Sequence, residues 1–251
     1  MRYQAVVFDL FDTLVDLQYG GTPTEEHAGR GVPPTARALH DAIVRNAEIT
    51  FGDFMDALFA VDTEFRETRY RKGLELPTEE RFTSVLSRLG LADEFLAKDM
   101  TEIHMAAIHG STVVPGHHAE VLGRLGRKVR LAVCSNFSHS PTALRILDEA
   151  DFRRHLHSVA ISDTVGIRKP RAEIFATVLG ELELAPEAVL HVGDSLRADV
   201  AGAAEAGLAT AWITRRVVDP ERRLREHEGP RPDYVVADLA EIESLVDANR
   251  S

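Results

Sequence analysis

The stretch AVVFDLFDTLVD, residues 5–16, begins with a short apolar run and then places two carboxylates close together. Valine-rich runs of this length are typical of a strand buried on both faces of a parallel sheet. Asp9 follows the run directly, and only two residues separate it from Asp12. Two ionised acids beside a buried strand repel each other and lose hydration, so they need a cation, shared protons or water. This cost indicates a functional site at the end of the strand.

The composition is that of an ordinary folded protein rather than a disordered one, with 44% hydrophobic and 27% charged residues. A length of 251 residues allows one large core, or a core with a smaller appended module. The 40 acidic residues outnumber the 29 basic ones, and the net charge of -11 opposes binding to nucleic acid or to an anionic membrane. We therefore expect neither as a partner.

The number of cysteines and the hydropathy of the chain indicate in which cellular compartment the protein is expected. The single cysteine, Cys134, excludes an internal disulfide and is typical of a reducing compartment. The chain does not open with a signal-like segment, and it has no apolar run of about 18 residues. We expect a cytoplasmic protein, either a monomer or a homodimer.

The pattern along the chain predicts an α/β fold interrupted by a helical insert. Residues 18–35 are rich in Gly and Pro and predict a loop or linker, and helical spacing then continues from Ala36 to about Gly110. From residue 113 onward strand and helix patterns alternate, which predicts βαβ units and a parallel sheet. The predicted core therefore comprises residues 1–17 and 113–251, and the insert with its linkers comprises residues 18–112.

Polar residues end several of the predicted strands, and the carboxyl ends of parallel strands meet at one edge of the sheet, where ligands bind. These residues are Asp9, Asp12, Ser135, Asn136 and Asp194, with Lys169 in a loop after another strand. Carboxylates, a hydroxyl, an amide and a cation suit a metal ion and an anion rather than an apolar ligand. Mg²⁺ needs only one or two protein carboxylates when substrate phosphate and water complete its oxygen shell.

A metal ion at this edge would give Asp9 and Asp12 different chemical roles. It would offset their repulsion and keep Asp9 ionised as a nucleophile, while Asp12, in a different environment, could exchange a proton. The hydroxyl, amide and ammonium groups would hold phosphoryl oxygens as charge develops on them.

Four motifs occur in an order that resembles the haloacid dehalogenase-like hydrolase superfamily. They are DLFDT at 9–13, CSN at 134–136, RKP at 168–170 and GDSLRAD at 193–199. A helical domain inserted just after the first motif is a trait of one subfamily. The resemblance thus implies a Rossmann-like catalytic core with an inserted all-helical cap.

The resemblance also implies a role for each motif residue. Asp9 would attack phosphorus to form an aspartyl-phosphate, and Asp12 would protonate the leaving oxygen and then activate water. Mg²⁺ would be held by the Asp9 carboxylate, the Asp12 backbone carbonyl and Asp194. Four residues would bind the substrate or its phosphoryl group: Thr13, Ser135, Asn136 and Lys169.

Two positions depart from related patterns. Ala198 stands where relatives often carry Asn, which leaves two roles open for Asp199: a direct metal ligand, or a group that orients waters or Lys169. Asp12 is present, whereas true haloacid dehalogenases of similar fold lack an acid there and work without metal. Its presence favours phosphoryl transfer over carbon–halogen cleavage.

We therefore predict a hydrolase, a Mg²⁺-dependent phosphatase that acts on a small phosphorylated metabolite. The alternatives are a phosphomutase or a haloacid dehalogenase of the same fold, or a non-catalytic binding relative.

Several residues also have plain structural interpretations. Asp194 and Asp199 have the positions of an N-cap and a first-turn acid of the helix that follows. Cys134 is expected to pack as a small apolar residue. His117 and His118 follow a Pro-Gly turn and are expected to be solvent-exposed, with contact to substrate near the end of the cap as the alternative. A basic run is expected on the solvated surface: Arg215, Arg216, Arg222, Arg223 and Arg225.

Overall fold

The computed structural model describes residues 3–18 and 25–248, which divide into two compact units. The first unit contains residues 3–16 and 113–248, and the second contains the described part of Leu17–Thr112. In chain order the strands are β1 Ala5–Phe8, β2 Asp16–Leu17, β3 Glu26–His27, β4 Arg30–Gly31, β5 Thr112–Val113, β6 Arg130–Ser135, β7 Ser158–Ile161, β8 Val189–Gly193, β9 Ala209–Ile213 and β10 Tyr234–Val236.

Helices connect most of these strands. In chain order they are α1 Ala36–Val44, α2 Phe51–Thr68, α3 Thr78–Arg88, α4 Glu94–Gly110, α5 His118–Leu125, α6 Ser140–Glu149, α7 Ser162–Val165, α8 Ala172–Leu182, α9 Gly202–Glu205, α10 Pro220–Glu226 and α11 Glu241–Ala248. A π-helical segment, Leu196–Ala201, precedes α9. None of the helices in the described part of the chain is long and apolar enough to cross a membrane.

The first unit is built on a parallel sheet of six strands, in the order β10-β9-β8-β1-β6-β7. Strand β1 lies between β6 and β8, and all four of its residues are buried. On one face of the sheet Ala5 and Val7 belong to the same buried cluster as Ile174 and Phe175 of α8. The structure confirms the predicted α/β fold, because apolar strands alternate with amphipathic helices that cover them.

The second unit has its own apolar core. Helices α1 to α4 bury a cluster that includes Leu39, Ile43, Phe54, Phe82 and Met100. The helical spacing of residues 36–110 therefore reflects burial of one face of each helix.

One prediction in this unit is wrong. Residues 18–35 were expected to form a loop, but β3 and β4 pair as an antiparallel hairpin, with Glu26 opposite Gly31 and His27 opposite Arg30. The two loop residues, Ala28 and Gly29, both have positive φ, as a type I′ turn requires. Strands of two residues are too short to show an alternating pattern. Residues 19–24 of the predicted loop lie outside the described residues.

Candidate active site

The register of the sheet brings three predicted site residues to one edge. Phe8, the last residue of β1, pairs with Val133 of β6 and with Val192 of β8. Asp9 follows directly and donates its backbone N–H to the Val192 carbonyl oxygen over 2.9 Å. Ser135 is the last residue of β6 and is buried, and Asp194 follows β8. The strand ends therefore deliver these side chains to the same part of the sheet.

Lys169 lies at the centre of this group. Its Nζ donates hydrogen bonds to Asp9 Oδ1 at 2.7 Å, to Asp199 Oδ1 at 2.6 Å and to the Cys134 carbonyl oxygen at 2.7 Å. An ammonium group has three protons, so each one has an acceptor. The side chain is only 1% exposed, which makes this a buried ion network that links Asp9 to Asp199.

Lys169 and Asp199 each stabilise the charged form of the other. Burial by itself would lower the pKa of Lys169, but Asp199 and Asp9 outweigh it and raise that pKa above its usual value. Burial would raise the pKa of Asp199, but Lys169 and His191 hold it well below the usual range. The pKa of Asp9 is raised, because burial outweighs the opposing attraction of Lys169. The fixed cation and anion are thus Lys169 and Asp199, and Asp9 is the acid whose ionised form needs further support.

Asn136 holds the backbone of Lys169. Its Nδ2 donates to the Lys169 carbonyl oxygen at 2.9 Å, and its Oδ1 accepts from the Lys169 backbone N–H at 2.7 Å. The two bonds fix the loop from which the lysine side chain extends.

Asp199 is held from several sides. Its Oδ1 accepts from Lys169 and also from His191 Nε2 at 3.0 Å, and its Oδ2 accepts from the Ser195 backbone N–H at 3.0 Å. Both oxygens are therefore engaged by protein donors. Gly193 makes the close approach possible, because a Cβ at this position would overlap the Asp199 carboxyl group, with Oδ2 only 2.6 Å away.

A group of three carboxylates has the composition of a cation site. One oxygen from each of Asp9, Asp194 and Asp199 lies within 4.8 Å of the others. Burial, and then the neighbouring Asp9 and Asp199, raise the pKa of Asp194 to about 7. Trp212 Nε1 donates to the Asp194 carbonyl oxygen at 2.7 Å and holds its backbone. An all-oxygen set of crowded acids fits Mg²⁺, whose charge would relieve their repulsion.

The loop after β1 contributes Asp12 and Thr13. Asp12 has a φ of 54°, a region that residues other than glycine rarely adopt, and its N–H donates to the Val15 carbonyl oxygen at 2.6 Å. Its Oδ1 lies 3.4 Å from Arg216 Nε. Thr13 is fully buried, and its Oγ1 has no hydrogen-bond partner in the structure. The loop thus offers a partly exposed acid and a buried hydroxyl with unused hydrogen-bonding capacity.

Some structural interpretations of the sequence hold and others fail. Cys134 is buried, and burial raises the pKa of its thiol to about 12, so it packs as an apolar residue rather than a nucleophile. Asp194 is not the N-cap, since the Ser195 side chain accepts the Ala198 N–H instead. His118 is buried, not exposed.

Three residues near the site were missed as contributors. His191 lies inside the apolar β8 pattern, which hides its contact with Asp199. Arg215, expected on the solvated surface, is instead partly buried and pairs with Asp16, whereas Arg216 is exposed as expected, with its Nε 3.4 Å from Asp12 Oδ1. Their place just after β9 is the signal that could have found them, because that position lies at the same edge of the sheet as the other strand ends.

A cavity of about 700 Å³ borders Asp194 within the first unit. Acidic and basic side chains are equally numerous along its wall: Asp194, Asp219 and Glu226 against Arg197, Arg222 and Arg223. The balance of charge gives this cavity no general preference for anions.

Known proteins resemble this chain in sequence and fold. Glyceraldehyde 3-phosphate phosphatase of Pyrococcus furiosus is 24% identical over 246 residues, covering 96% of this chain and 92% of the relative. Pyrimidine 5'-nucleotidase YjjG of Escherichia coli is 28% identical over 171 residues, covering 66% and 69% of the two chains. The crystal structure of a 2-haloacid dehalogenase from Pseudomonas syringae superimposes with a TM-score of 0.69 at 19% identity, over 99% of this chain and 100% of that one.

The family model for haloacid dehalogenase-like hydrolases matches residues 3–207, which include all four motifs and every residue of the buried Asp9–Lys169–Asp199 network. The chain therefore belongs to the haloacid dehalogenase-like hydrolase family.

Proposed function

We propose that this protein is a Mg²⁺-dependent phosphatase that hydrolyses a small phosphorylated metabolite through an aspartyl-phosphate on Asp9. The observation that carries the proposal is the buried Lys169, bonded to both Asp9 and Asp199 beside the carboxylate of Asp194. In a protein without catalytic activity, three crowded acids would only lower stability, because each loses hydration and repels the others.

The carboxylates of Asp9 and Asp194 would hold Mg²⁺, together with the Asp12 backbone carbonyl that the family resemblance implies. Bound there, the ion supplies charge stabilisation to the phosphoryl oxygens. Asp199 acts differently in this proposal: Lys169, His191 and the Ser195 N–H already occupy its two oxygens. It fixes the position of Lys169 rather than binding the ion.

In the first step an Asp9 carboxylate oxygen forms a bond to phosphorus while the bond from phosphorus to the leaving oxygen breaks. Asp12 gives its proton to that oxygen, and Lys169 offsets negative charge near Asp9. In the second step Asp12, now ionised, takes a proton from water as the water oxygen attacks phosphorus. Inorganic phosphate leaves and Asp9 returns to its carboxylate form.

The other predicted substrate groups have supporting positions. Thr13 offers a buried hydroxyl without a partner, and Ser135 lies at the end of β6. Asn136 contributes by fixing Lys169, since both polar atoms of its side chain bond to the backbone of that residue. Residues 18–112 are proposed to act as a substrate-selecting cap.

Two relatives support the substrate class. Their names, a glyceraldehyde 3-phosphate phosphatase and a pyrimidine 5'-nucleotidase, describe enzymes that act on phosphorylated small molecules. Asp12 supports phosphoryl transfer over dehalogenation. The leaving oxygen of a phosphate ester needs a proton from an acid, whereas a halogen leaves carbon as a halide ion and needs none.

The test is inorganic phosphate release from a panel of phosphorylated metabolites, with and without Mg²⁺. We expect metal-dependent release that falls by about 10³-fold or more in Asp9→Asn. Asp148→Asn, which changes an exposed carboxylate on α6, is the control and should match the native protein. Undiminished release from Asp9→Asn would refute the nucleophile assignment.

The same samples separate the alternatives. A phosphomutase would return the phosphoryl group to an organic acceptor and release little phosphate, and a dehalogenase would release halide from a 2-haloacid. Absence of every activity, with no phosphorylated Asp9 trapped, would favour the non-catalytic relative.

A further inference from the structure

A second group of potential metal ligands lies in the same unit. His117 and His118 stand at the start of α5, and Asp238 precedes α11. One ligand atom from each of the three lies within 4.8 Å of the others. His117 Nε2 is 2.9 Å from Asp238 Oδ1, and the two imidazole ring centres are 4.7 Å apart. The proposed phosphatase reaction uses none of these residues.

His118 has an unusual state for a buried side chain. Its exposure is 0%, and its Nδ1 lies 2.8 Å from the Leu14 carbonyl oxygen. A carbonyl oxygen only accepts hydrogen bonds, so Nδ1 must carry the proton and the neutral ring keeps its lone pair on Nε2. That Nε2 is buried without a hydrogen-bond partner. A buried acceptor without a donor costs free energy, which raises the question of what it binds.

The same arrangement is typical of histidines that bind metals. Such a histidine donates one ring N–H to a backbone carbonyl or a carboxylate and presents the other nitrogen to the ion.

We propose that His117, His118 and Asp238 form a binding site for a Zn²⁺ ion, distinct from the carboxylate group around Asp9. Two imidazoles and one carboxylate suit a borderline transition metal, and a water molecule would complete four ligands. Mg²⁺ prefers oxygen ligands, so the group with two histidines and the group of three carboxylates should select different ions.

The spacing requires only small movements. Zn²⁺ binds nitrogen at about 2.0–2.1 Å and oxygen at about 2.0–2.2 Å, so tetrahedral ligand atoms lie roughly 3.3–3.4 Å apart. The observed 2.9 Å between His117 and Asp238 must widen by about 0.5 Å, and separations of up to 4.8 Å must close by at most about 1.5 Å. The exposed His117, at 47%, can move most easily.

The surrounding charges permit a cation. Arg215 is a cation that interacts electrostatically with His118 and would oppose a bound metal ion. Its guanidinium, however, bonds to both carboxylate oxygens of Asp16, which offsets its charge. Asp238 also has a structural contact, because its Oδ1 accepts a hydrogen bond from the Ala240 backbone N–H just before α11.

The test is calorimetric titration of the full chain with Zn²⁺ in a large excess of Mg²⁺. We expect one Zn²⁺ per chain, with a Kd at least about tenfold weaker in both His117→Ala and Asp238→Asn. Asn at position 238 retains an oxygen acceptor for the Ala240 N–H, and His117 is half-exposed, so both variants should fold.

Two controls make the result specific. His155→Ala removes a histidine that belongs to no potential ligand group in residues 3–18 and 25–248, and it should bind Zn²⁺ as the native protein does. Asp194→Asn should also retain Zn²⁺ binding, because it alters only the other group. The proposal is overturned if Zn²⁺ fails to bind, if Asp194→Asn abolishes binding, or if neither His117→Ala nor Asp238→Asn weakens it.

Discussion

Replacing Asp194 by Asn should stabilise the metal-free protein while it removes metal-dependent activity. Burial, followed by Asp9 and Asp199, raises the pKa of Asp194 from 3.8 to about 7. The folded protein therefore holds this proton more tightly than the unfolded chain does. The resulting stabilisation is complete below about pH 4 and is lost as the pH rises through about 7. Asn has no proton to lose, so the variant avoids that loss.

The size of the effect follows from the shift. A difference of about three pKa units corresponds to about 4 kcal/mol, at 1.36 kcal/mol per unit. Relaxation of the fold and entry of water reduce this value, so we expect a gain of about 2–4 kcal/mol near pH 8. For a chain of this size, each 1 kcal/mol raises the Tm by about 2–4 °C, giving a rise of at least about 4 °C.

The assay is thermal unfolding at about pH 5 and about pH 8, with EDTA and then with Mg²⁺. In EDTA the advantage of Asp194→Asn should be larger at the higher pH. Added Mg²⁺ should raise the Tm of the native protein more than that of the variant, because the variant lacks one of the carboxylates proposed to hold the ion. Asp148→Asn should stay within about 0.5 kcal/mol of the native protein in every condition. A variant less stable than the native chain in EDTA near pH 8 would refute the reasoning.

Three other substitutions or treatments test neighbouring parts of the network. Gly193→Ala should lower kcat by about 10²-fold and destabilise the fold, because the added Cβ would displace Asp199. Gly180→Ala is the control: its Cβ meets no neighbour within 4 Å, so it should raise the free energy of unfolding by up to about 1 kcal/mol in a denaturant titration. Lys169→Met should cost about 3–5 kcal/mol by urea unfolding, since it leaves two buried carboxylates without their cation; an unchanged midpoint would contradict the ion network. Cys134, whose thiol pKa is raised by burial to about 12, should resist iodoacetamide in the folded protein and react in urea, as mass spectrometry would show.

The strand ends were predictable because two rules operate together. Buried parallel strands appear as short apolar runs, and the chain must turn at their carboxyl ends, where polar residues gather. Asp9, Ser135 and Asp194 follow from those rules alone, and the structure places them at the ends of adjacent strands. Their reaction roles stay a prediction.

The missed features depend on contacts between distant segments. His191 resembles any other residue of an apolar strand until the π-helical segment brings Asp199 against it, eight residues later. The burial of His118 depends on a bond to Leu14, more than 100 residues away in the chain, which no local pattern encodes. The short β3–β4 hairpin was missed for the opposite reason: its strands are too brief to repeat any pattern.

The central position of β1 also affects how the protein is made. Its four buried residues leave the ribosome before either of their neighbours, because they pair with strands that begin at Arg130 and Val189. At about 5–20 residues per second, about 125 further residues take roughly 6–25 s to synthesise. The helical unit, complete by Thr112, can fold during that delay, while the apolar strand β1 has no partner. The nascent chain should therefore need protection by a chaperone until β6 emerges.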